Sequence, residues 1–507
     1  MKLTNSAQMR EMDSYVIDDL HVPGTFLMSN AAEHVAAAAL ERIKLGGTIA
    51  VFCGSGNNGG DGIGAAAYLI EKGVPVRVFM IGDPEMLSFD SKEMRRRLEL
   101  VGGVLESFPE TDNIEDYVSS CCIVIDAIFG IGLNKEVDGD ALRAIQIIND
   151  SNACIISADI ASGVHADTGA IMGEAVWANV TITFSMAKPG HFIEPGCIYC
   201  GELHVCDIGI PHDIIAGAIS PVFAVTADEV SLPRRRLDTH KGNFGRAMIA
   251  AGSIGYTGAP ALAARAASRM GAGLVYLGTP EPIYNIMAAK LDEEMPFSLP
   301  SDKNGKLAAN AAGELIKRAN DSDVLLLGPG LGASSEITEL VLSVIRLVKK
   351  PIVLDADGIN AIANHIDILD KSAGSLILTP HPGEYLRLGG DLSSGNRLRS
   401  AREFAHRHGC TLVLKGHSTI TALPDGTAYI NTTGGPAMAK GGSGDVLAGM
   451  IAALIAQRFP LNDAVTTAVY IHGLAGDMCA TELGEYSVTA NDIINMIPKA
   501  AMKLIRM

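Results

Sequence analysis

A glycine-rich stretch at residues 431–449 has the composition of a site that handles a phosphate group. Its loop glycines are Gly434, Gly435, Gly441, Gly442 and Gly444. The apolar run Val446–Ala456 follows at once and predicts a buried helix. A flexible loop that leads into a helix directs several unpaired N–H groups toward one point. That point would stabilise the charge that develops on a phosphoryl group during its transfer.

Asp445 lies where this loop becomes the helix. A carboxylate is a poor choice for a site that only binds phosphate. It suits a general base that removes a proton from a hydroxyl group as the hydroxyl attacks phosphorus. The alternative is that Asp445 only caps the helix, because Asp is a favoured capping residue.

A second glycine loop, Gly54–Gly62, follows the β-type run Thr48–Cys53. It formally contains Gly-x-Gly-x-x-Gly, which predicts a dinucleotide site of the Rossmann dehydrogenase type, with Asp83 as a late candidate for the ribose-binding acid. Three polar side chains within the loop do not fit that simple reading: Asn57, Asn58 and Asp61. Their oxygens suggest ligation or chemistry. A polar turn with left-handed Asn residues is the alternative.

Two further carboxylates follow apolar strand-like runs in the same half. Asp126 follows Cys121–Ile125, and Asp159 follows Ala153–Ala158. The carboxyl ends of parallel strands face the crevice where α/β folds bind ligands. Together with Asn58 and Ser162 they would form a site of hard oxygen ligands, which suits a cation. Each Asp could instead cap the helix that follows it.

Length and charge set limits on the function. With 507 residues, two or three domains are expected. The net charge of −17 argues against nucleic acid or an anionic membrane as a partner. No apolar run reaches the roughly 18 to 20 residues that span a bilayer, and no secretory signal is visible. Nine scattered cysteines suit a cytoplasmic protein. Cys197, Cys200 and Cys206 are more consistent with ordinary thiols than with a zinc site.

The elements that must position these residues form two α/β series. Helices are expected at 3–20 and 24–45, and a proline-rich joint at 211–236 divides domains 1–222 and 223–507. In the second domain, polar or glycine clusters each follow a predicted strand: 252–258, 328–332, 355–358, 379–384 and 415–419. These clusters should therefore converge on one edge of one sheet.

The first half resembles the NAD(P)H-hydrate epimerase domain over roughly residues 1–220. The matching motifs are Gly54–Gly62, Asp126–Gly132, Asp159–Gly163 and Phe184–Gly190. The resemblance implies a three-layer, Rossmann-like α/β fold that interconverts the R and S hydrates of NADH and NADPH, with Asp159 as acid/base. It implies a potassium ion on Asn58, Asp126 and Ser162. The substrate-binding residues that it implies are Asn57, Asn58, Gly59, Gly60, Asp61, Gly130, Ile131, Gly132 and Asp159.

Two positions in this half carry open questions. The family usually has Pro where this chain has Ala161, and we expect the change to loosen the loop that holds Asp159 and Ser162. Lys188 also matches the family pattern, but the sequence does not say whether it acts chemically or only caps a turn.

The second half resembles the ADP- or ATP-dependent NAD(P)H-hydrate dehydratases of the ribokinase-like superfamily, over about residues 230–505. Gly442-Ser443-Gly444-Asp445 matches the superfamily's anion hole, with Asp445 as the base. Magnesium would accompany the nucleotide. The implied nucleotide-binding residues are Lys415, Gly416, His417, Ser418, Thr419, Gly435, Gly441, Gly442, Ser443 and Gly444. The implied hydrate-binding residues are Gly330, His381, Pro382, Gly383, Glu384, Tyr385, Leu386, Arg387 and Asp445.

The two halves together predict an enzyme that epimerises NADHX and NADPHX and dehydrates the S form back to NADH or NADPH, with ADP or ATP consumed. We also expect a homo-oligomer. The alternative is a kinase for a small vitamin-precursor alcohol, fused to a non-catalytic Rossmann-like binding module. A stable phosphorylated product would distinguish that kinase. The sequence does not decide between ADP and ATP or between NADHX and NADPHX, and it does not show whether intermediates pass between the sites.

Overall fold

The structure, a computed structural model, describes residues 1–505. The chain folds into two compact units. The first comprises Lys2–Val222, and the second comprises Met1 together with the chain from Phe223 onward. Among the described residues, none of the helices combines the length and the apolar composition that crossing a bilayer requires.

The first unit is built on a seven-stranded sheet. Its strands are β1 Ile49–Cys53, β2 Val76–Ile81, β3 Leu105–Phe108, β4 Ile123–Ala127, β5 Cys154–Ala158, β6 Val180–Phe184 and β7 Glu202–Cys206. Its helices are α1 Ser6–Ser14, α2 Gly24–Arg42, α3 Asn57–Glu71, α4 Phe89–Leu100, α5 Ile114–Ser120, α6 Gly139–Asn149, α7 Gly196–Tyr199 and α8 His212–Gly217. The strand order is β3-β2-β1-β4-β5-β6-β7, and all neighbouring strands are parallel.

Both faces of this sheet are covered, which explains its strand sequences. Successive residues of β1 alternate between two apolar cores, one shared with α2, α3 and α4 and the other with α5 and α6. All five residues of β1 are buried, as expected for a parallel strand between two helical layers. Since the strand order reverses between β1 and β4, the loops after these two strands open the crevice where such folds bind ligands.

The second unit is built on a ten-stranded sheet. Its strands are β8 Val222–Val225, β9 Arg246–Ala250, β10 Leu274–Pro280, β11 Met295–Leu299, β12 Val324–Leu327, β13 Ile352–Leu354, β14 Leu376–Leu378, β15 Thr411–Leu414, β16 Ile420–Ala422 and β17 Ala428–Asn431. Its helices are α9 Gly258–Arg269, α10 Tyr284–Lys290, α11 Ala312–Asn320, α12 Ser335–Leu347, α13 Asp357–Ile362, α14 Pro382–Arg387, α15 Arg397–His408, α16 Ser443–Ala456, α17 Leu461–Leu483 and α18 Ala490–Met502.

The order of this sheet is β11-β10-β9-β12-β13-β14-β15-β16-β17-β8. The pairs from β11 to β15 are parallel, and β16 pairs antiparallel with both β15 and β17. The order reverses between β9 and β12. The helix α16 is almost wholly apolar and buried, and it packs on α9 against the sheet. Its N-terminus therefore opens at the ligand-binding edge.

Three local expectations differ from the structure. The first helix ends at Ser14 and continues as a single π-helical turn, Tyr15–Asp19. Asn57 and Asn58 lie in the first turn of α3 and do not have positive φ angles, so the polar-turn alternative is wrong. Asp126 lies within β4, because that strand extends past Ile125 to Ala127.

Candidate active sites

A cavity of about 500 Å³ lies at the carboxyl edge of the first sheet. The loops after β1 and β4 meet there so closely that a Cβ on Gly54 would lie 2.1 Å from the carbonyl oxygen of Ile128. Lys188 and most of the predicted substrate-binding residues line the cavity: Asn57, Asn58, Asp61, Gly130, Ile131, Gly132 and Asp159. The structure thus brings this part of the predicted site together in one place.

Gly59 and Gly60 are not among the residues that line this cavity. A Cβ on Gly59 would lie 1.8 Å from the carbonyl oxygen of Gly54, and a Cβ on Gly60 would lie 2.4 Å from Ser91 Oγ and 2.7 Å from Met28 Sδ. Both glycines therefore allow α3 to pack closely against its neighbours.

Asp159 is fixed by a buried ion pair. Its Oδ1 atom accepts hydrogen bonds from Lys188 Nζ at 2.5 Å and from Thr183 Oγ1 at 3.1 Å. The backbone of Asp159 has a φ of 62°, in the left-handed region that non-glycine residues rarely occupy. Burial alone would raise the pKa of Asp159, but the charge and hydrogen bond of Lys188 outweigh it, so the pKa is lowered. Asp159 is therefore ionised at neutral pH.

His191 forms hydrogen bonds with the backbone of both Lys188 and Asp159. Its Nδ1 accepts a hydrogen bond from the Lys188 backbone N–H at 3.1 Å, so its proton lies on Nε2, which donates to the carbonyl oxygen of Asp159 at 3.0 Å. Burial, with a contribution from the Lys188 charge, lowers the pKa of His191 to about 4. A neutral imidazole thus holds the backbone of both charged residues.

Asp13, on α1, lines the same cavity, and sequence analysis did not identify it as a site residue. Burial raises the pKa of Asp13 to about 6, with the charge of Lys188 opposing the rise and that of Asp159 adding to it. Burial likewise raises the pKa of Asp61, helped by Asp159 and Asp13. The sequence feature that could have identified Asp13 is its position four residues after the buried Met9, which puts an acid on the apolar face of an amphipathic segment.

Two of the predicted cation ligands, Asp126 and Ser162, are hydrogen-bonded to each other, and the third, Asn58, lies against Gly130 in the loop after β4. Asp126 is fully buried and accepts hydrogen bonds from Ser162 Oγ at 2.5 Å, from Ser162 N at 2.9 Å and from Ser157 Oγ at 2.7 Å. Burial raises the pKa of Asp126 although these hydrogen bonds oppose the rise. Neither amide atom of the buried Asn58 has a hydrogen-bond partner within residues 1–505. A buried amide oxygen in that condition suits a ligand that brings its own positive charge.

In the second unit, Lys415 is the centre of the candidate site. It follows β15, and its Nζ donates to Asp355 Oδ1, after β13, at 3.0 Å and lies 4.0 Å from Glu384 Oε2. Thr379, after β14, donates to the same Asp355 oxygen at 2.6 Å. Burial would lower the pKa of Lys415, but Asp355 and Glu384 outweigh it and raise the pKa. Three adjacent strand ends thus hold a charged ammonium group, as the strand-end pattern predicted.

Asp445 lies in the first turn of α16, beside this ammonium. A Cβ on Gly444 would lie 3.3 Å from Lys415 Nζ. The N-cap residue is Gly442, with φ 99°, and no side chain caps this helix, so the capping alternative for Asp445 is wrong. Burial raises the pKa of Asp445 to about 7; the Asp355 charge adds to the rise and that of Lys415 opposes it. A group with this pKa is suited to accept a proton at neutral pH.

The remaining nucleotide-site predictions surround this helix start. Thr419 Oγ1 donates to the Gly416 carbonyl oxygen at 2.9 Å, which closes the loop after β15. Ser443 Oγ donates to the carbonyl oxygen of Met438 at 2.9 Å, which holds the glycine loop over the helix. Asp477, on α17, accepts a hydrogen bond from Gly434 N at 2.9 Å, and sequence analysis missed it.

The predicted hydrate-binding segment 381–387 divides into two sets. His381 caps α14 and its Nε2 lies 3.3 Å from Glu384 Oε1, while Arg387 donates to Asn360 Oδ1 at 2.9 Å, and both residues are exposed. Tyr385 is fully buried and its hydroxyl lies 2.8 Å from Ser400 Oγ. Tyr385 therefore packs α14 against α15.

Gly330 takes its predicted place at the junction of β9 and β12. Its carbonyl oxygen accepts a hydrogen bond from Ser253 Oγ at 2.8 Å, and its φ is 65°. The neighbouring Gly332 N donates to Asp357 Oδ2 at 2.8 Å. Asp357 is one of the carboxylates that raise the pKa of Asp445. The loop 328–332 thus borders the same site.

Two minor sequence alternatives find no support in the structure. Asp83 caps a short 3-10 turn by accepting a hydrogen bond from Glu85 N and is not among the residues that line the cavity. Cys197, Cys200 and Cys206 form no disulfide bonds, and within residues 1–505 no group of three or more His, Cys, Asp or Glu side chains is arranged to hold a metal ion.

Comparison with known proteins covers both units. A family model described as NAD(P)H-hydrate dehydratase matches residues 247–499, and one described as YjeF-related protein N-terminus matches residues 24–190. The bifunctional NAD(P)H-hydrate repair enzyme Nnr of Thermofilum pendens is 37% identical, over 99% of this chain and 97% of its own. The enzyme of that name from Moorella thermoacetica is 38% identical, over 98% and 96%.

Among solved structures, the chain is similar to the ADP/ATP-dependent NAD(P)H-hydrate dehydratase from Bacillus subtilis co-crystallised with ATP/Mg²⁺. The sequence identity is 30% and the TM-score is 0.48. The match covers 56% of this chain and 99% of that one.

Proposed function

The chain belongs to the family of bifunctional NAD(P)H-hydrate repair enzymes, and from that membership we propose how its residues divide the work. Its function is nicotinamide nucleotide repair, by an NAD(P)H-hydrate epimerase and an NAD(P)H-hydrate dehydratase. We assign the epimerase to the first unit and the dehydratase to the second.

The observation that carries the dehydratase assignment is the position of Asp445 at the uncapped start of α16, beside Lys415. The hydrate has a hydroxyl group on a saturated ring carbon, and hydroxide is a poor leaving group. Asp445 takes the hydroxyl proton, and the terminal phosphoryl group of ADP or ATP moves to the oxygen. Loss of the phosphate from that carbon, together with a proton from the neighbouring ring carbon, then restores the ring double bond of NADH or NADPH.

The glycines around Asp445 and the ammonium of Lys415 stabilise the charge on the phosphoryl group in this step. Backbone N–H groups of Gly442 and Gly444 lie at the start of α16, where the N-cap glycine has no side chain to occupy them. Magnesium in such sites is held largely by substrate phosphates and one or two carboxylates, and Asp355 and Asp357 are two carboxylates at this edge that could serve.

In the first unit, Asp159 is the acid/base group of epimerisation. Its second carboxylate oxygen is left for the substrate because Oδ1 is engaged by Lys188 and Thr183. Lys188 positions this carboxylate and keeps it ionised. The loop 130–132 and the first turn of α3 supply the surrounding wall of the cavity.

Asn58, Asp126 and Ser162 fit a potassium ion. In support, the amide of Asn58 is buried without a partner among residues 1–505, and Ser162 Oγ donates a hydrogen bond to Asp126 at the same edge of the sheet. Oxygen donors of this kind suit a hard cation. A bound potassium ion would supply a fixed positive charge between the loops after β1, β4 and β5.

The experiment that tests both assignments follows absorbance of reduced nicotinamide in a mixture of R and S NADH hydrate, with potassium, magnesium and ADP or ATP. Full recovery of NADH requires both activities. Recovery of only one epimer's share would contradict the epimerase assignment. No recovery with either nucleotide would contradict the dehydratase assignment and favour a small-alcohol kinase.

Two broader expectations stay predictions. Nine cysteines that form no disulfide bonds within residues 1–505 are consistent with a cytoplasmic protein. A homo-oligomeric state would be checked by light scattering of the purified chain.

A further inference from the structure

The cavity of the first unit contains a carboxyl group that the assigned mechanism does not use. We infer that Asp13 is a second proton-transfer group of the epimerase, which protonates the ring nitrogen of the hydrate while Asp159 takes the hydroxyl proton. This inference rests on the proposed epimerase function of the first unit.

The position of Asp13 supports this role. Asp13 lies on α1, one turn after Met9. Both residues line the cavity, which is also lined by Asp159 and Lys188 from a distant part of the sequence. Asp13 is close enough to Asp159 and Lys188 for their charges to act on it. The titratable groups that share the cavity with Asp13 are Arg10, Asp61, Asp90, Lys135, Asp159 and Lys188.

The charge balance of the cavity favours keeping a proton there. Asp13, Asp61 and Asp159 interact with one another, and the ammonium of Lys188 acts on all three of them. That ammonium is already paired with Asp159. Arg10 and Lys135 are exposed, so water screens their charges. The site can therefore hold an ionised base, Asp159, together with a protonated acid.

The chemistry of the substrate needs such a pair. Hydration of a dihydronicotinamide places the hydroxyl on a carbon that is bonded to the ring nitrogen. To invert this carbon, the carboxylate of Asp159 takes the hydroxyl proton, the O–H electron pair forms a C=O bond, and the C–N bond breaks. The C–N electron pair goes to nitrogen, which takes a proton from the carboxylic acid of Asp13.

The step reverses after rotation about the adjacent C–C bond. Nitrogen returns its proton to the Asp13 carboxylate and attacks the opposite face of the aldehyde, whose oxygen regains the proton from Asp159. No atom, electron or proton is gained or lost over the cycle. Because the aldehyde stays tethered through the ring carbons, nothing leaves the cavity.

The two carboxyl groups have the properties that this division of roles needs. Lys188 keeps the pKa of Asp159 low against the effect of burial, which leaves Asp159 ionised as a base. Burial and the Asp159 charge raise the pKa of Asp13 to about 6 against the effect of Lys188. Neighbouring groups with separated pKa values are the pattern expected of an acid and a base.

The test measures the exchange rate between R and S NADH hydrate in the full chain by chromatography, after subtraction of the uncatalysed exchange. Asp13→Asn should slow the exchange by roughly 10²–10⁴-fold. In the wild type, kcat/KM should fall as pH rises through about 6, since the acid of the free enzyme must be protonated. This falling limb of the pH profile should be absent in Asp13→Asn. Asp13→Glu should keep the limb, displaced along the pH axis.

Glu11→Gln is the matched control, because it removes the same charge from an exposed position on the same helix. It should change neither the rate nor the pH profile. Asp159→Asn, assayed alongside, separates this inference from the function on which it rests. If Asp159→Asn abolishes exchange while Asp13→Asn keeps the wild-type rate and pH limb, the role of Asp13 is wrong and the epimerase assignment stands.

If neither variant affects the exchange, the epimerase assignment itself is wrong. If Asp13→Asn fails to fold, the wild type and Asp13→Glu decide the matter. A limb near pH 6 that shifts in Asp13→Glu supports the inference, and a flat profile or an unshifted limb overturns it.

Discussion

Lys188 Nζ lies 2.5 Å from Asp159 Oδ1, and the two side chains are only 1% and 11% exposed. The pair is therefore a buried ion pair with a second hydrogen bond, from Lys188 to Thr183 Oγ1 at 2.9 Å. Removal of one partner from such a pair leaves an uncompensated buried charge. The same contact that keeps Asp159 ionised for chemistry thus also affects the stability of the first unit.

Lys188→Met should destabilise the first unit by about 3–5 kcal/mol at neutral pH. In the wild type the lowered pKa of Asp159 stabilises the folded unit at every pH above about 3.9, the ordinary pKa of an Asp side chain. That stabilisation is lost only as the pH falls below this value. In the variant Lys188 no longer outweighs the effect of burial, which raises the pKa of Asp159, so stability is lost as pH rises. The defect should therefore be larger at pH 8 than at pH 4, as measured by calorimetry that resolves the two units.

The double variant Lys188→Met/Asp159→Asn is the control for that prediction, because it removes both charges. It should recover much of the lost stability without recovering epimerisation. An equal loss of stability in the single variant at both pH values would contradict the ion-pair account.

Asn58→Ala should abolish stabilisation of the first unit by potassium. A ligand that binds only the folded state raises the free energy of unfolding with its concentration. We expect the wild-type unfolding temperature of the first unit to rise more with potassium chloride than with choline chloride at equal ionic strength. Asn57→Ala, which removes the neighbouring amide, should keep this difference. A potassium effect of the same size in Asn58→Ala would exclude Asn58 as a ligand.

Much of this arrangement follows from the sequence. Asp355, Thr379 and Lys415 each follow a short apolar run, and parallel strands bring such positions to one sheet edge, where the three side chains form hydrogen bonds. Family membership and the α/β class, which these motifs predicted, are confirmed.

The sequence did not predict contacts that depend on packing between distant segments. Asp13 reaches the cavity because α1 packs there, and no local motif connects it with Asp159. Tyr385 lies within a matching motif, yet its position on α14 directs it inward, against Phe404 on α15. His191 acts on Asp159 through a backbone carbonyl oxygen, a contact that side-chain patterns do not indicate.

Asp445→Asn should abolish the dehydratase, by roughly 10²–10⁴-fold or more, and yet stabilise the second unit at pH 8. The raised pKa of Asp445 means that its contribution to stability is most favourable below about pH 3.9 and is lost as pH rises through about 7. Asn is neutral at every pH, so the variant does not have the free-energy cost of a buried ionised carboxylate. The gain, roughly 1–3 kcal/mol after allowance for partial exposure, should grow between pH 4 and 7 and then level off. Thermal unfolding across this range measures it, and a variant less stable than the wild type at pH 8 would contradict the burial account.

Gly442→Ala and Gly441→Ala form a matched pair at the start of α16. Gly442 has φ 99°, and a Cβ there would lie 2.7 Å from Leu262 Cδ1 and 3.0 Å from Ala490 Cβ, whereas a Cβ on Gly441 meets nothing within 4 Å. Gly442→Ala should therefore cost about 1–3 kcal/mol and raise the KM for the nucleotide. Gly441→Ala should be close to wild type in stability. Similar unfolding temperatures for the two variants would contradict this geometry.

Tyr385→Phe tests whether the inward position of Tyr385 in α14 excludes it from the hydrate site. The substitution removes a hydroxyl that lies 3.0 Å from the Ser400 carbonyl oxygen and 2.8 Å from Ser400 Oγ, so the second unit should lose about 0.5–1.5 kcal/mol of stability. Because the ring is fully buried between α14 and α15, the KM for the hydrate should not change. Arg387→Ala, on the same helix, should raise that KM, since Arg387 is exposed on the site side. Steady-state assays with the S hydrate compare the two variants. A raised KM in Tyr385→Phe with unchanged stability would place Tyr385 in the substrate site, as the sequence motif alone implied.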